Sequence, residues 1–381
     1  MKLDFIKKMT KPDLIYLDYN ATALIKPEVI ELMSEVMKEG GNPSSVHGLG
    51  RLAKARMEEA RSIIAEQINC RPQMIIFTSG GTEANNMAVL TCDRTRLITT
   101  NVEHDSIRSA SSRFKGGVDH LSVDQDGLID LGVLKELLEE NGSSAIISIL
   151  FANNETGVMQ DVKKISAIAH EAGALLHIDA IQALTKVPID FMELGADMMS
   201  LSSHKTGGPQ GVGALITYEK LPVKSFVMGG GQEIGRRGGT ENIAGIAGFG
   251  KAVSLIPQSL EKMKELESWR DEIERKLFEY APASKFLGQN AKRLPNVSTI
   301  YMPNVTSETQ VMNFDLDKIC ISSGSACSSG KVKSSHVIDA MSNDANIATS
   351  TIRMSLGWGS EHSDVRAFIK SWKKQYDRKN S

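Results

Sequence analysis

Lys205 follows an apolar stretch, Met198 to Leu201, inside the run Ser202-Ser203-His204-Lys205-Thr206-Gly207-Gly208-Pro209. A lysine at a strand end, among small residues and ahead of a glycine turn, can be desolvated enough to hold a Schiff base, and Ser202 and His204 beside it could reach a phosphate. Taken alone, it reads more simply as a lysine snorkelling from a strand end. Asp179 closes a second apolar run, Ala174 to Ile178, and changes that balance. A Schiff-base lysine paired with a carboxylate that keeps a pyridinium nitrogen protonated is the arrangement pyridoxal phosphate requires. Ser79-Gly80-Gly81-Thr82-Glu83-Ala84-Asn85-Asn86 joins a strand to a helix through two glycines and a hydroxyl. Free N–H groups at such a helix start bind phosphate. The same residues read equally well as an ordinary glycine turn with Thr82 as N-cap. The run is neither GxGxxG nor a Walker-type GxxxxGK, so a dinucleotide or nucleoside triphosphate is not its natural ligand.

The four cysteines differ by setting. Cys327 sits among Ser322, Ser323, Gly324, Ser325, Ser328, Ser329 and Gly330, a polar and accessible loop that suits a mobile nucleophile. Cys70 and Cys92 read as inert packing residues, and Cys320 as a small strand residue.

These groups need a frame. From about residue 60 to 220, short apolar runs alternate with helical patterns, the signature of βα units building a mostly parallel sheet. Strands are expected at Met74 to Thr78, Leu97 to Thr100, Ala145 to Phe151, Ala174 to Ile178, Met198 to Leu201 and Gly213 to Tyr218. The unusual polar residues fall just after these strands, where open α/β sheets place ligands. Beyond Pro257 a long charged helix with Leu260, Met263, Leu266, Ile273 and Leu277 in register runs to Pro282 and leads into a second domain. The expected division is a large domain over residues 15–257 and a smaller α+β domain over 258–381, joined by the segment 1–14 and carrying the Cys327 loop.

Composition bounds the rest. The chain has 381 residues, 41% hydrophobic and 24% charged, with 44 Lys+Arg against 46 Asp+Glu and a net charge of −2. That excludes collagen-like, coiled-coil and wholly disordered chains, and leaves no broad basic field for nucleic acid or an anionic membrane. No CxxC pair or His companion stands at zinc-ligand spacing, so no metal site is expected, and four cysteines make no disulfide framework. No apolar run is long enough for a signal core or a membrane span. A cytoplasmic protein is the expectation.

Five motifs then occur in one order: Asn153-Asn154-Glu155-Thr156-Gly157, His177-Ile178-Asp179-Ala180-Ile181-Gln182, Ser202-Ser203-His204-Lys205, Arg236-Arg237-Gly238-Gly239-Thr240-Glu241-Asn242, and Ser322-Ser323-Gly324-Ser325-Ala326-Cys327. Together they closely resemble the NifS/IscS-type cysteine desulfurases of the class V aminotransferase group, from Tyr16-Leu17-Asp18-Tyr19-Asn20-Ala21-Thr22 to about Arg353. The resemblance implies a fold type I pyridoxal-phosphate transferase. It implies that Lys205 forms the Schiff base and moves the Cα proton, that His104 stacks on the ring, that Asp179 pairs with the ring nitrogen and that Gln182 bonds the ring hydroxyl. Gly81, Thr82, Ser202 and His204 would hold the phosphate, with Thr240 supplied by the second subunit of a homodimer. Asn154 and Arg353 match positions that bind the substrate carboxylate. The implied activity converts L-cysteine to L-alanine, leaving a persulfide on Cys327 for an iron–sulfur scaffold or another sulfur-acceptor protein, including the route to tRNA thiolation. Selenocysteine lyase or another class V enzyme is the enzymatic alternative, and a sulfur-relay protein the non-enzymatic one. The sequence departs from the family at Ala21-Thr22-Ala23-Leu24 and at Ser328, both of which keep small or hydroxyl character.

Overall fold

A computed structural model describes residues 14–221, 223–324, 335–342 and 344–380. After the short strand β1 (Ile15–Tyr16), seven strands form the central sheet: β2 (Ile75–Thr78), β3 (Arg96–Thr100), β4 (Gly117–Leu121), β5 (Ala145–Leu150), β6 (Leu175–Asp179), β7 (Met198–Ser202) and β8 (Gly213–Thr217). Their order is β2-β8-β7-β6-β5-β3-β4, parallel throughout except at β8, which runs antiparallel to both neighbours. Strands covered on both faces are apolar at most positions, which explains the short apolar runs in the sequence. The buried exceptions Ser148, His177 and Ser200 satisfy one another, His177 Nδ1 lying 2.8 Å from Ser148 Oγ and its Nε2 2.9 Å from Ser200 Oγ. Ile75 and Phe77 pack into the core on one face while Ile76 packs on the other, and Met199 and Met198 divide the same way. Strand β4 was not expected, because Gly-Val-Asp-His-Leu at the sheet edge carries little apolar signal.

Six strands, β2, β3, β4, β5, β6 and β7, end on one edge of the sheet. The helix Gly81–Thr91 starts directly after β2, with Gly80 at its N-cap position and no side-chain cap. Thr82 is therefore inside the first turn, and the reading of Thr82 as N-cap does not hold. Gly80 can take that position because the neighbouring strand yields: a Cβ on Gly213 would lie 2.6 Å from the Gly80 carbonyl carbon.

The smaller unit packs helices Ile256–Tyr280, Ser307–Leu316 and His362–Asn380 on an antiparallel sheet. Its strands are β9 (Lys285–Phe286), β10 (Val297–Tyr301), β12 (Ser322–Ser323) and β13 (Thr351–Ser355), in the order β12-β13-β10-β9. Phe314 and Phe368 stack at 4.9 Å in its core beside the fully buried Trp372. A further strand, β11 (Ile319–Cys320), pairs in parallel with β1, and Leu17 is buried in this second core. We propose on that packing that residues 14–17 belong with the smaller unit, which moves the expected boundary at residue 15 slightly along the chain. No single helix among the described residues is long and apolar enough to cross a membrane.

Candidate active site

A cavity of about 640 Å³ opens at the strand-end edge, where the smaller unit closes over the sheet. Gly81, Thr82, His104, Asn154, Asp179, Gln182, Ser202, His204, Lys205 and Arg353 all line it. Residues spread over more than two hundred positions thus meet in one space. Thr240 does not join them and is exposed on its own chain. Cys327 lies outside the described residues, although Ser322 and Gly324 before it and His336 after it line the same cavity. A larger cleft of about 1110 Å³ lies along the helix Ile256–Tyr280. Several of its charges are spent on each other, as in the Lys163–Glu193 and Arg270–Glu267 pairs.

Lys205 leaves β7 through one short turn, Ser203–Lys205, and its Nζ donates to the main-chain oxygens of Asn20 at 2.7 Å and Ala21 at 2.6 Å. Burial, reinforced by the charge of Arg353, pulls the amine from its ordinary 10.5 down to about 8, against the opposing pull of Asp18 and Asp179. At pH 7 roughly a tenth of such amines are neutral, against about one in three thousand for an ordinary lysine.

Asp179 is 2% exposed at the end of β6. Asn85 Nδ2 donates to one of its oxygens at 2.7 Å and the Ile181 N–H to the other at 3.0 Å. Burial raises its pKa, while His104, those two donors and Lys205 resist the rise. The carboxylate therefore has donors but no bonded cation among the described residues. Asn85 Nδ2 also donates to Ser106 Oγ at 2.9 Å. Ser106 in turn reaches His104 Nδ1 through its N–H at 3.1 Å and its hydroxyl at 2.8 Å. Two donors aimed at Nδ1 require a lone pair there, so the neutral imidazole carries its proton on Nε2.

Arg353 stands in the middle of β13, opposite Ser322 of β12 and Thr299 of β10. Its Nη2 donates to Asp18 at 2.8 Å and its Nη1 to the Asn154 main-chain oxygen at 3.3 Å. Its Nε is buried with no partner among the described residues. That leaves an oriented guanidinium edge with donors to spare, which suits a carboxylate.

The residues present fit pyridoxal phosphate. A Cβ at Gly81 would overlap the Ile181 side chain and approach Ser202 Cβ to 3.3 Å, so the helix start is a cradle that only glycine leaves open. Asp179 presents a buried carboxylate with no bonded cation among the described residues, and Lys205 an amine held by main-chain carbonyls. Several contributors carried no signal that singled them out. Asn85 was legible only as an odd residue four positions into a helix after Gly81. Glu155, 2% exposed, accepts from Ser335 Oγ at 2.6 Å and lies against Gly324, so it touches both described ends of the segment bearing Cys327. Burial is the main cause of its raised pKa. Glu103, beside His104, is likewise pushed up to about 8 by burial. Cys70 and Cys92 are half-buried, their thiols pushed up to about 12 and about 11, which makes them poor nucleophiles.

Residues 15–368 match the aminotransferase class-V family. A cysteine desulfurase IscS of Dictyoglomus turgidum is 38% identical over 354 residues, 90% of this chain and 89% of its own length. A cysteine desulfurase of Cereibacter sphaeroides is 40% identical, covering 90% of both chains. Among solved structures, a NifS-like protein from Rickettsia africae superposes with a TM-score of 0.89 at 36% identity, over 96% of this chain and 99% of its own. A structure of SspA in complex with cysteine gives 0.78 at 28% identity, over 90% of this chain and 99% of its own. The chain belongs to the class-V aminotransferase family, among its cysteine desulfurases.

Proposed function

We propose that the cavity binds pyridoxal phosphate and L-cysteine, and that the chain releases L-alanine while the sulfur remains as a persulfide on Cys327. The observation that carries this reading is the convergence around one space of a Lys205 amine that burial lowers to about 8, a buried Asp179 carboxylate with donors but no bonded cation among the described residues, and an Arg353 Nε with no partner among them. Gly81, Thr82, Ser202 and His204 would hold the phosphate, and Asp179 and Gln182 the ring. Bound there, pyridoxal phosphate supplies an electron sink for the bonds at the amino-acid Cα. Arg353 Nε and the Asn154 side chain orient the substrate carboxylate. Lys205 Nζ, neutral in part at pH 7, removes and returns the Cα proton. His104 Nε2–H donates at the ring face, its tautomer held by Ser106. The Cys327 thiolate attacks the substrate sulfur: an S–S bond forms, the Cβ–S bond breaks, and Cβ gains hydrogen as alanine while sulfur is oxidised to the persulfide level.

The sulfur then passes to an acceptor protein, an iron–sulfur scaffold or a tRNA-thiolating enzyme. We further propose a homodimer in which Thr240 completes the partner's phosphate site. Its exposure, and that of Phe226, Met228 and Ile234 in the same loop, supports that reading. Incubation with L-cysteine should yield alanine in solution and a persulfide mass on the Cys327 peptide. Alanine without that mass would remove the persulfide step, and no alanine at all would remove the reading.

Asn85→Ala should raise the dissociation constant for pyridoxal phosphate by about ten- to a hundredfold, the cost of one hydrogen bond to a charged group. Asp179 would keep only the Ile181 N–H. Absorbance titration of cofactor-stripped protein measures this, and unchanged affinity would show that Asn85 does not support the Asp179 charge.

A further inference from the structure

We propose that Lys186 is a positioning residue: it fixes the Gln182 amide so that an N–H donor, never the carbonyl oxygen, faces the ring oxygen of the cofactor. Lys186 is 4% exposed, and its Nζ lies 2.5 Å from Gln182 Oε1 and 2.7 Å from Asn20 Oδ1. Both are neutral acceptors. On the other side of the same amide, Gln182 Nε2 donates to the Asn20 main-chain oxygen at 2.9 Å. An ammonium group has only donors and a carbonyl only acceptors, so a flipped amide would place N–H against N–H and oxygen against oxygen. Both neighbours demand the same orientation. One Nε2–H is then spent on Asn20 and the other is left for the cavity that Gln182 lines.

The local backbone is arranged for this. After β6 the chain turns through Ala180–Val187, with the N–H groups of Ala183 and Leu184 on the Ala180 oxygen and those of Lys186 and Val187 on the Ala183 oxygen. Thr185, immediately before Lys186, has φ of 69°, a left-handed conformation that a β-branched residue rarely adopts. Strain of that kind persists where surrounding contacts require it, and here it delivers a lysine inward, four residues from Gln182. The placement is costly. Burial, Lys205 and Arg353 all lower the Lys186 pKa well below its ordinary value, and no carboxylate among the described residues offsets them. A neutral amine still has two N–H groups for its two acceptors, so the orienting role survives loss of the charge. Asn20 ties the arrangement to the active lysine, since its main-chain oxygen accepts from both Gln182 and Lys205.

This inference rests on the reading that Gln182 meets the ring oxygen, and one set of variants separates the two. The pH titration of the bound cofactor's absorbance is read for the wild type, Lys186→Met, Lys186→Gln, Gln182→Ala and the Lys186→Met/Gln182→Ala double variant, with thermal unfolding and cofactor affinity measured in parallel. A donor to the ring oxygen favours its deprotonated form, so Lys186→Met should raise the titration midpoint by about one pH unit, the scale of one hydrogen bond to a charged group. Gln182→Ala should raise it similarly, and the double variant no further. Lys186→Gln, which retains an N–H for Gln182, should lie between the wild type and Lys186→Met. A midpoint moved by Gln182→Ala but not by Lys186→Met, or moved equally by Lys186→Met in both backgrounds, would overturn the inference alone. No movement with Gln182→Ala would overturn the Gln182 assignment and the inference with it. Should Lys186→Met not fold, a midpoint in folded Lys186→Gln between those of the wild type and Gln182→Ala supports the inference, and a midpoint equal to either one overturns it.

Discussion

Lys205→Ala should abolish covalent capture of pyridoxal phosphate and lower alanine formation from L-cysteine by at least about 10³-fold, within the range that a proton-transferring group supplies. The amine is the group whose surroundings favour both roles, because burial and Arg353 hold it at about 8 while the groups that bind it among the described residues are main-chain oxygens. Borohydride treatment of the reconstituted wild type should fix the cofactor to the Lys205 peptide, and the variant should carry no such label. A label that persists on another lysine, or turnover within tenfold of wild type, would remove the assignment. The pH dependence has a definite sign. A lysine at about 8 becomes the reactive neutral amine on passing upward through that value, so the rate of capture should rise with pH and level off above about 8. A lysine at its ordinary value would keep accelerating beyond about pH 10. Stopped-flow absorbance distinguishes the two curves.

Cys327→Ser should leave cofactor binding within about twofold of wild type and lower sulfur release by more than about 10³-fold, since a hydroxyl at neutral pH cannot replace a thiolate that must attack sulfur. The residues bracketing its segment support that separation. Ser322 and Gly324 line the cavity on one side and His336 on the other, while Ser335 is tied to Glu155. None of these is among the groups proposed to hold the phosphate or the ring. Absorbance titration measures the first property, and sulfide and alanine release the second. Undiminished release in the variant would dismiss the persulfide step. A cofactor lost together with activity would instead place Cys327 among the binding residues.

Much of the frame was visible because the physics that builds it is local. Strands buried on both faces need apolar residues at most positions, so β2, β3, β5, β6, β7 and β8 appeared as short runs with boundaries correct to within a residue or so. Polar residues at the ends of those runs, His104, Asp179, Ser202 and Lys205, could then be assigned to one edge. Strand β4 was missed because an edge strand can be polar. The pairing of Ile15–Tyr16 with Ile319–Cys320 was missed because two residues per strand carry no periodicity and the partners lie some three hundred positions apart.

The amino-acid order alone determined the alternating α/β frame, the position of a lysine, a carboxylate and a histidine at strand ends, and a cysteine in a polar loop. These follow from hydrophobic pattern, turn chemistry and side-chain type, which act over a few residues. Only the tertiary structure decided how those groups are held. Asn20 joins Lys205, Gln182 and Lys186, Asn85 connects Asp179 to Ser106 and so sets the His104 tautomer, and Arg353 is turned toward the cavity by Asp18 and the Asn154 carbonyl. Each is a contact between distant segments whose energy exists only after burial removes water and leaves every donor in need of a particular acceptor.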